Sequence, residues 1–356
     1  MKLFRRIVIL IVASLLVQTG GLLYIDRFYL SNETKIKSVK VTDAPKPSKV
    51  AEFQVSIPDD AKNIEVSYDS KYIAFNEGDD LKVLSTVKNT SIITVNPEKN
   101  AKISYYKWFK DRDTILTGEK SSTEDGGKIR FYTYDVSKNK KVVIRDNLNN
   151  KDTDININTK FDLSDLEMSS LTNVFYIKIN RGGTSGIYVI DIMSQLQTIF
   201  KNKAIGEMLI TRLDDKLVYE SILNSKEPKI MVTNSLNTID KTIEISGVSI
   251  PSLLGIDTND NIYIGQVENN KVSKIFYGQM SDDTSKWKSI SLPIPSSKED
   301  INITSNGKIY VNDNLSGVIT EVSSGIKTAY KGQFLQLYNG GIASKSDGKL
   351  VKTILK

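Results

Sequence analysis

The 356-residue chain contains no cysteine and no histidine. Without cysteine there are no disulfides, thiol nucleophiles, Cys-ligated metals or lipid-attachment thiol, so an exported domain must rely on its core alone. Without histidine the commonest general base and metal ligand are gone; Ser-His-Asp triads and His-based zinc sites are excluded within this chain. No G-x-S-x-G nucleophile turn occurs either. A charge excess on the body of the chain is also missing. The formal net charge is +6, but residues 1–41 hold seven Lys or Arg against two acids, leaving only about +1 for the rest. A nucleic-acid reader needs a basic patch on its folded part, and this balance supplies none.

What is present begins with residues 7–25, a 19-residue run with no charged side chain, preceded by Lys2, Arg5 and Arg6. At about 1.5 Å per residue such a helix spans roughly 28 Å, close to a hydrocarbon core of about 30 Å. Basic residues on its N-terminal side favour a cytoplasmic N-terminus. The expected order is a cytoplasmic tail (1–6), a transmembrane helix (7–25), an extracytoplasmic linker (26–50) and a folded domain (51–356), placing the protein at the plasma membrane. The alternative is a cleaved signal peptide and secretion. The run exceeds the usual h-region, however, and no A-x-A-like site follows it. The linker carries Lys35, Lys37 and Lys40 with Pro45 and Pro47 and reads as a solvated tether.

From residue 52 onward, short β-branched and aromatic runs alternate with Asp, Asn, Gly and Ser, the pattern of many short strands. Residues 164–171 and 192–198 are ambiguous. A polar turn followed by a strong apolar strand recurs, with central apolar residues Ile73, Ile115, Phe175, Val218, Ile262, Ile309 and Ile342. Intervals of 42, 60, 43, 44, 47 and 33 residues separate them, and a period of about 40–50 is that of four-stranded propeller blades. The long interval holds an insertion around 147–160. Third strands fit the frame at 81–84, 130–134, 186–190, 229–233, 274–277, 317–321 and 349–355. The last blade lacks a fourth strand and residues 52–57 form a spare one, so pairing the two would close the ring and remove its edges. The expectation is an all-β propeller of seven blades, or six if the final hairpins merge.

Ser67-Tyr68-Asp69-Ser70-Lys71-Tyr72-Ile73-Ala74-Phe75 resembles the S-P-D-G-K-x-I-A-F repeat of TolB-type propellers and of the dipeptidyl-peptidase-IV-like propeller. Tyr105-Tyr106-Lys107-Trp108-Phe109-Lys110-Asp111-Arg112-Asp113 is similar to a second copy. Ile187-Tyr188-Val189-Ile190-Asp191 matches the family's I-Y-V-x-D strand, as does the segment ending Tyr132-Thr133-Tyr134-Asp135. Tyr68 and Ser70 replace the usual Pro and Gly, and later blades keep only the rhythm. The resemblance implies a WD-repeat-like propeller without the hydrolase domain of the peptidases. An Asp in such a turn bonds its own backbone, so these Asp residues are structural.

Other groupings have bland readings. Gly182-Gly183-Thr184-Ser185-Gly186 is a hairpin turn. Ser281-Asp282-Asp283-Thr284-Ser285-Lys286-Trp287 is an imperfect sialidase-type box and reads as a loop entering a strand. Asp152-Thr153-Asp154-Ile155-Asn156-Ile157-Asn158 offers alternate oxygens as calcium sites do, but Ile157 and Leu163 stand where an EF-hand needs Gly and Glu; it reads as a solvated loop. Asp257-Thr258-Asn259-Asp260-Asn261 is a turn. Strand alternation sends Tyr106 and Trp108 to one face and Tyr105 and Phe109 to the other, for blade packing.

No catalytic, cofactor or metal residue is assigned. The reading is a membrane-anchored, extracytoplasmic, non-catalytic binding or scaffold propeller of a bacterial cell envelope. Its partner is an envelope protein, a wall polymer or an exported peptide. The rivals are a carbohydrate-active enzyme using Asp and Glu in the channel, which acids clustered at one channel mouth would favour, and a partner-dependent sensor.

Overall fold

The computed structural model describes residues 5–6, 14–15, 17–22 and 55–356, except 88–91, 124–125, 158–159, 170, 223–227 and 235–236. The chain divides into two units, Met1–Lys49 and Val50–Lys356. In the first unit the described residues are helical and exposed. Among them no helix is long and apolar enough to cross a membrane. The remainder of the 7–25 run and the 26–50 linker lie outside the described residues.

The second unit is a seven-bladed propeller of antiparallel sheets. Blade 1 comprises Lys62–Val66, Tyr72–Glu77, Asp80–Ser85 and Ile93–Val95. Blade 2 comprises Ala101–Trp108, Thr114–Thr123, Gly126–Asp135 and a divided fourth strand. Blade 3 runs through Asp162–Met168, Phe175–Arg181, Thr184–Ile190 and Leu196–Lys203, and blade 4 through Ile205–Ile210, Leu217–Ser221, Lys229–Asn234 and Asn237–Ile243. Blade 5 uses Pro251–Ile256, Asn261–Glu268, Lys271–Gln279 and Lys288–Ser296. Blade 6 uses Ile301–Ile303, Ile309–Asp313, Val318–Glu321 and Lys327–Ala329. Blade 7 has Gln333–Tyr338, Gly341–Ser346 and Lys349–Ile354, and takes its fourth strand, Val55–Ser56, from the start of the domain. The closing pairs are Val55 with Leu350 and Ser56 with Lys349.

Each second strand is sandwiched between neighbouring blades, which explains why it is the strongest apolar run. In Leu217-Val218-Tyr219 all three side chains are fully buried. Alternation sends Leu217 and Tyr219 into the packing against blade 3 and Val218 into that against blade 5. The core is thus not one mass but seven clusters, one at every blade interface. Tyr106 and Trp108 pack toward blade 1 and Phe109 toward blade 3, as alternation requires. The two ambiguous segments are a strand, Asp162–Met168, and a turn leading into Leu196–Lys203.

The turns use their polar residues on the backbone. Asp69 Oδ1 accepts from the Lys71 amide and from Ser67 Oγ, both at 3.0 Å, and the Tyr72 amide donates to Ser67 Oγ at 3.1 Å. Ser70 takes φ 59°, in the place where Gly is usual. Gly307, at φ 79°, has no alternative: a Cβ there would meet Tyr263 Oη at 2.6 Å.

The insertion corrects the expectation of a solvated loop. Lys140–Val143 pairs with one half of the third strand of blade 2, the hairpin Arg145–Asp146/Lys151–Asp152 interrupts, and Asp154–Ile157 resumes pairing along Gly127–Arg130. The alternating oxygens are a strand with period two. Ile155 and Ile157 are buried toward blade 3. On the opposite face Arg130 donates to both carboxylate oxygens of Asp154, at 2.7 and 2.8 Å.

Leu350, which pairs with Val55 across the closing seam, is fully buried in the third strand of blade 7. Leu350→Ala is expected to cost about 2–5 kcal/mol, read by urea denaturation. A cost below about 0.5 kcal/mol, the size of a neutral surface change, would show that closure does not bear on stability.

Candidate functional site

The first strands of successive blades touch one another from blade 7 through blade 1 and on to blade 6, so they line the inside of the ring. As innermost strands they carry an unpaired edge. Register shifts interrupt them at Lys62/Glu65, Ile103/Tyr105, Leu163/Asp165, Ile205/Met208, Leu253/Gly255 and Phe334/Gln336. A bulge bends the strand and re-aims a side chain. Glu65, Tyr105, Asp165 and Gln336 each follow such a shift, and Glu207 lies inside one.

Strand register also defines an equivalent position in every blade: Glu65, Lys107, Glu167, Leu209, Gly255, Asn302 and Gln336. Five consecutive blades, from 6 through 7 to 3, put a polar side chain there. Blades 4 and 5 put Leu209 and Gly255. Gln336 pairs with the inner edge of blade 1, donating to the Val66 carbonyl at 2.9 Å and accepting from its amide at 3.2 Å.

Around Lys107 the position becomes an ionic cluster. Its ammonium bonds Glu167 Oε1 and lies 3.6 Å from Asp165 Oδ1. Lys110 Nζ is 3.5 Å from Glu167 Oε2, and Tyr105 Oη donates to Asp165 Oδ1 at 3.1 Å. Burial alone would lower the Lys107 pKa, but Glu167 and Asp165 hold it well above the usual lysine value. Burial would likewise raise Glu167, which is 3% exposed, yet Lys107 and then Lys110 keep it below the usual carboxylate value. At Glu65 burial outweighs the pull of Lys107 and of the Trp108 amide and pushes the carboxyl from 4.5 to about 7. Burial also raises Glu207, against the pull of Lys298.

The cluster opens at the end of the channel bearing the turns between first and second strands. A cavity of about 610 Å³ there is lined by Glu65, Lys107, Asn302 and Gln336, with Tyr68, Tyr310 and Tyr338 around them. A second cavity of about 310 Å³ shares Lys110, Ile303 and Ser305 with it and reaches Arg212 and Asp257 of blades 4 and 5. All seven blades thus contribute to one concave mouth. Such a mouth can hold a ligand by hydrogen bonds from Asn, Gln and Tyr and by charge. Asp165 and Glu167 are engaged by Lys107, Lys110 and Tyr105, and among the described residues no three acids are grouped to hold a metal.

Most of the groupings weighed from sequence are elsewhere. Gly182 and Gly183 turn a hairpin at φ 54° and 92°. Asp283 caps a short 3-10 turn and Trp287 packs inside, its indole donating to the Gln279 carbonyl at 3.2 Å. Asp257 accepts from the Asn259 and Asn261 amides at 2.9 and 3.0 Å. The Tyr105–Phe109 segment belongs to the site through Tyr105 and Lys107, and the Asp257 turn borders its second cavity. The signal that marks the rest is a charged residue two places before the turn Ser or Thr, in Glu65-Val66-Ser67 and Glu167-Met168-Ser169.

The raised Glu65 carboxyl sets a pH dependence. Between pH 4.5 and about 7 the fold holds a proton that the unfolded chain has lost, so stability falls as pH rises through that window. Glu65→Gln is expected to flatten this part of the melting-temperature profile. An unchanged slope would show that Glu65 titrates normally.

No protein-family model matches the chain, and no curated protein matches it. Solved structures do. An oligogalacturonate lyase in complex with manganese is 9% identical over 88% of this chain and 96% of that one, with TM-score 0.57. A prolyl endopeptidase is 13% identical over 81% of this chain, with TM-score 0.50, and this chain spans only 46% of it. TolB from Acinetobacter baumannii is 15% identical over 76% of this chain and 64% of that one, with TM-score 0.44. At such identities the likeness is one of fold alone, that of the β-propeller.

Proposed function

We propose that the protein is a single-pass, plasma-membrane propeller whose extracytoplasmic mouth binds an envelope protein, wall polymer or exported peptide without transforming it. The anchor rests on the uncharged 7–25 run with its basic N-terminal flank. The observation that carries the binding reading is the mouth itself: a concave surface of about 610 Å³ lined by Glu65, Lys107, Asn302, Gln336 and three tyrosines, beside which the carboxylates of Asp165 and Glu167 are already engaged by lysines and a tyrosine. Carboxylates tied in this way are weak nucleophiles and bases. Tyr, Asn and Gln around them suit recognition, since aromatic anchors dominate binding energy.

The test is capture by the full-length protein in detergent from solubilised envelope, with bound protein and glycan identified by mass spectrometry. Lys110 lies on the rim with its side chain 60% exposed. Lys110→Glu is expected to reduce capture roughly tenfold or more, the loss of one strong contact, with the fold intact by circular dichroism. Capture indifferent to this change would move the ligand away from the mouth.

One observation favours a second reading, the carbohydrate-active one. Environments that drive neighbouring carboxyls apart in pKa mark acid and base pairs, and Glu65 is raised to about 7 while Glu167 is lowered. On that reading Glu65 is the general acid. Incubation with wall glycan would release new reducing ends, with activity declining above about pH 7 and abolished in Glu65→Gln. No release from wall glycan by the native protein rejects it.

A further inference from the structure

Two Asn-Gly pairs occur in the chain, Asn306-Gly307 and Asn339-Gly340. Each sits in the turn between the first and second strands of its blade, in blades 6 and 7, and both asparagines line the mouth cavity. Both are exposed. Sequence and burial make the two pairs equal, but their bonding does not.

An asparagine before glycine carries an intrinsic reaction. The backbone nitrogen of the next residue attacks the side-chain amide carbon, and a glycine, without a Cβ, does not obstruct the approach. The new N–C bond closes a succinimide ring, and ammonia leaves with the proton that the backbone nitrogen gives up. Water then opens the ring at either carbonyl to give aspartate or isoaspartate. The balance is one water in and one ammonia out, with no oxidation. The reaction needs a glycine N–H that no acceptor holds, a side-chain amide free to turn, and room around the glycine.

Asn306 meets none of these needs. The Gly307 amide donates to the Thr304 carbonyl at 2.9 Å, and Thr304 Oγ1 donates to Asn306 Oδ1 at 2.6 Å. The glycine itself is wedged against blade 5, where a Cβ would meet Tyr263 Oη at 2.6 Å and Asp257 Oδ2 at 2.9 Å. At Asn339 the situation is reversed. Among the described residues nothing accepts from the Gly340 amide and nothing bonds the Asn339 side chain. A Cβ on Gly340 would meet no atom within 4 Å. Gly340 takes φ 86° while Asn339 keeps a negative φ, the type II arrangement. Two-residue hairpins match strand twist better with primed turns, so the twist does not lock this peptide. The Leu355 amide holds the Gly340 carbonyl at 3.1 Å, on the other side of the glycine from the reacting nitrogen.

We propose that Asn339 is a site of spontaneous deamidation and that Asn306 is shielded from it, so that the mouth gains a carboxylate on its blade 7 rim as the protein ages. The change replaces the two N–H donors of an amide with acceptors alone. The isoaspartate product also lengthens the backbone of a turn whose length sets hairpin register. The first strand of that hairpin carries Gln336, which bonds both backbone groups of Val66.

The experiment incubates the full-length protein in detergent at mildly alkaline pH and follows both asparagines by peptide mass spectrometry. Isoaspartate is counted by methyl transfer from S-adenosylmethionine with an isoaspartyl methyltransferase. Asn339 is expected to convert roughly tenfold or more faster than Asn306, because two hydrogen bonds must break before Asn306 can react. In urea the two rates should converge. Thr304→Ala should speed conversion at Asn306 several-fold and leave Asn339 unchanged. Equal rates in the folded protein, survival of Asn339 in the folded protein over the time that converts both sites in urea, or an Asn306 rate indifferent to Thr304→Ala would each overturn the proposal. The effect on binding alone rests on the ligand reading of the mouth: Asn339→Asp is expected to weaken envelope capture several-fold. Capture by neither native protein nor variant defeats that reading and leaves the conversion rates to decide the modification.

Discussion

Each blade has two apolar faces, and neither can be left in water. A twisted antiparallel sheet normally solves this by exposing one polar face. Here the second strands are apolar on both, as Leu217-Val218-Tyr219 shows, so every blade needs a neighbour on each side. Only a closed ring provides that. Closure falls to two residue pairs between Val55–Ser56 and Lys349–Leu350, and to the cluster in which Val55, Ile57 and Leu350 pack with Val66 and Ile73 of blade 1. With no cysteine to staple the ends, hydrogen bonds and burial at that seam hold the ring.

The same closure creates the candidate site. Seven first strands turned inward leave a channel lined by unpaired strand edges. The bulges in these strands give the edge groups and side chains new directions, and Gln336 supplies backbone partners for Val66. The charged residues brought together in this space cannot remain independent. Lys107 pairs with Glu167 and Asp165 and lowers the Glu167 pKa, whereas at Glu65 burial outweighs the pull of the same lysine. The near-neutral pKa of Glu65 is a consequence of crowding at the axis. Whether a ligand or a proton exploits it, the arrangement exists because seven strands converge.

The insertion illustrates a limit of pattern reading. Asp152-Thr153-Asp154-Ile155-Asn156-Ile157-Asn158 has the composition of a loop and the period of a strand, and composition is the weaker signal where one face is buried. Its buried Ile155 and Ile157 meet blade 3, and that neighbour is invisible in the local sequence. The hairpin it carries is seated on blade 3 by backbone carbonyls, which have no side-chain signature at all.

Within the sequence, the local rules were sufficient for what is local or periodic. Turn chemistry at Ser67–Lys71, the recurrence of the second strands and the unmatched strands at the two ends of the domain led to a seven-bladed ring and to its seam. The absence of His and Cys bounded the chemistry. The site was not legible, because Glu65, Lys107 and Asp165 are 42 and 58 residues apart in the chain and meet only when the first strands of three blades are set side by side. The pKa of Glu65 depends on burial that no single strand confers, and the cleft between blades 2 and 3 depends on a hairpin crossing to the next blade. Periodicity specifies which residues face a neighbour; only the closed tertiary structure decides which neighbour that is.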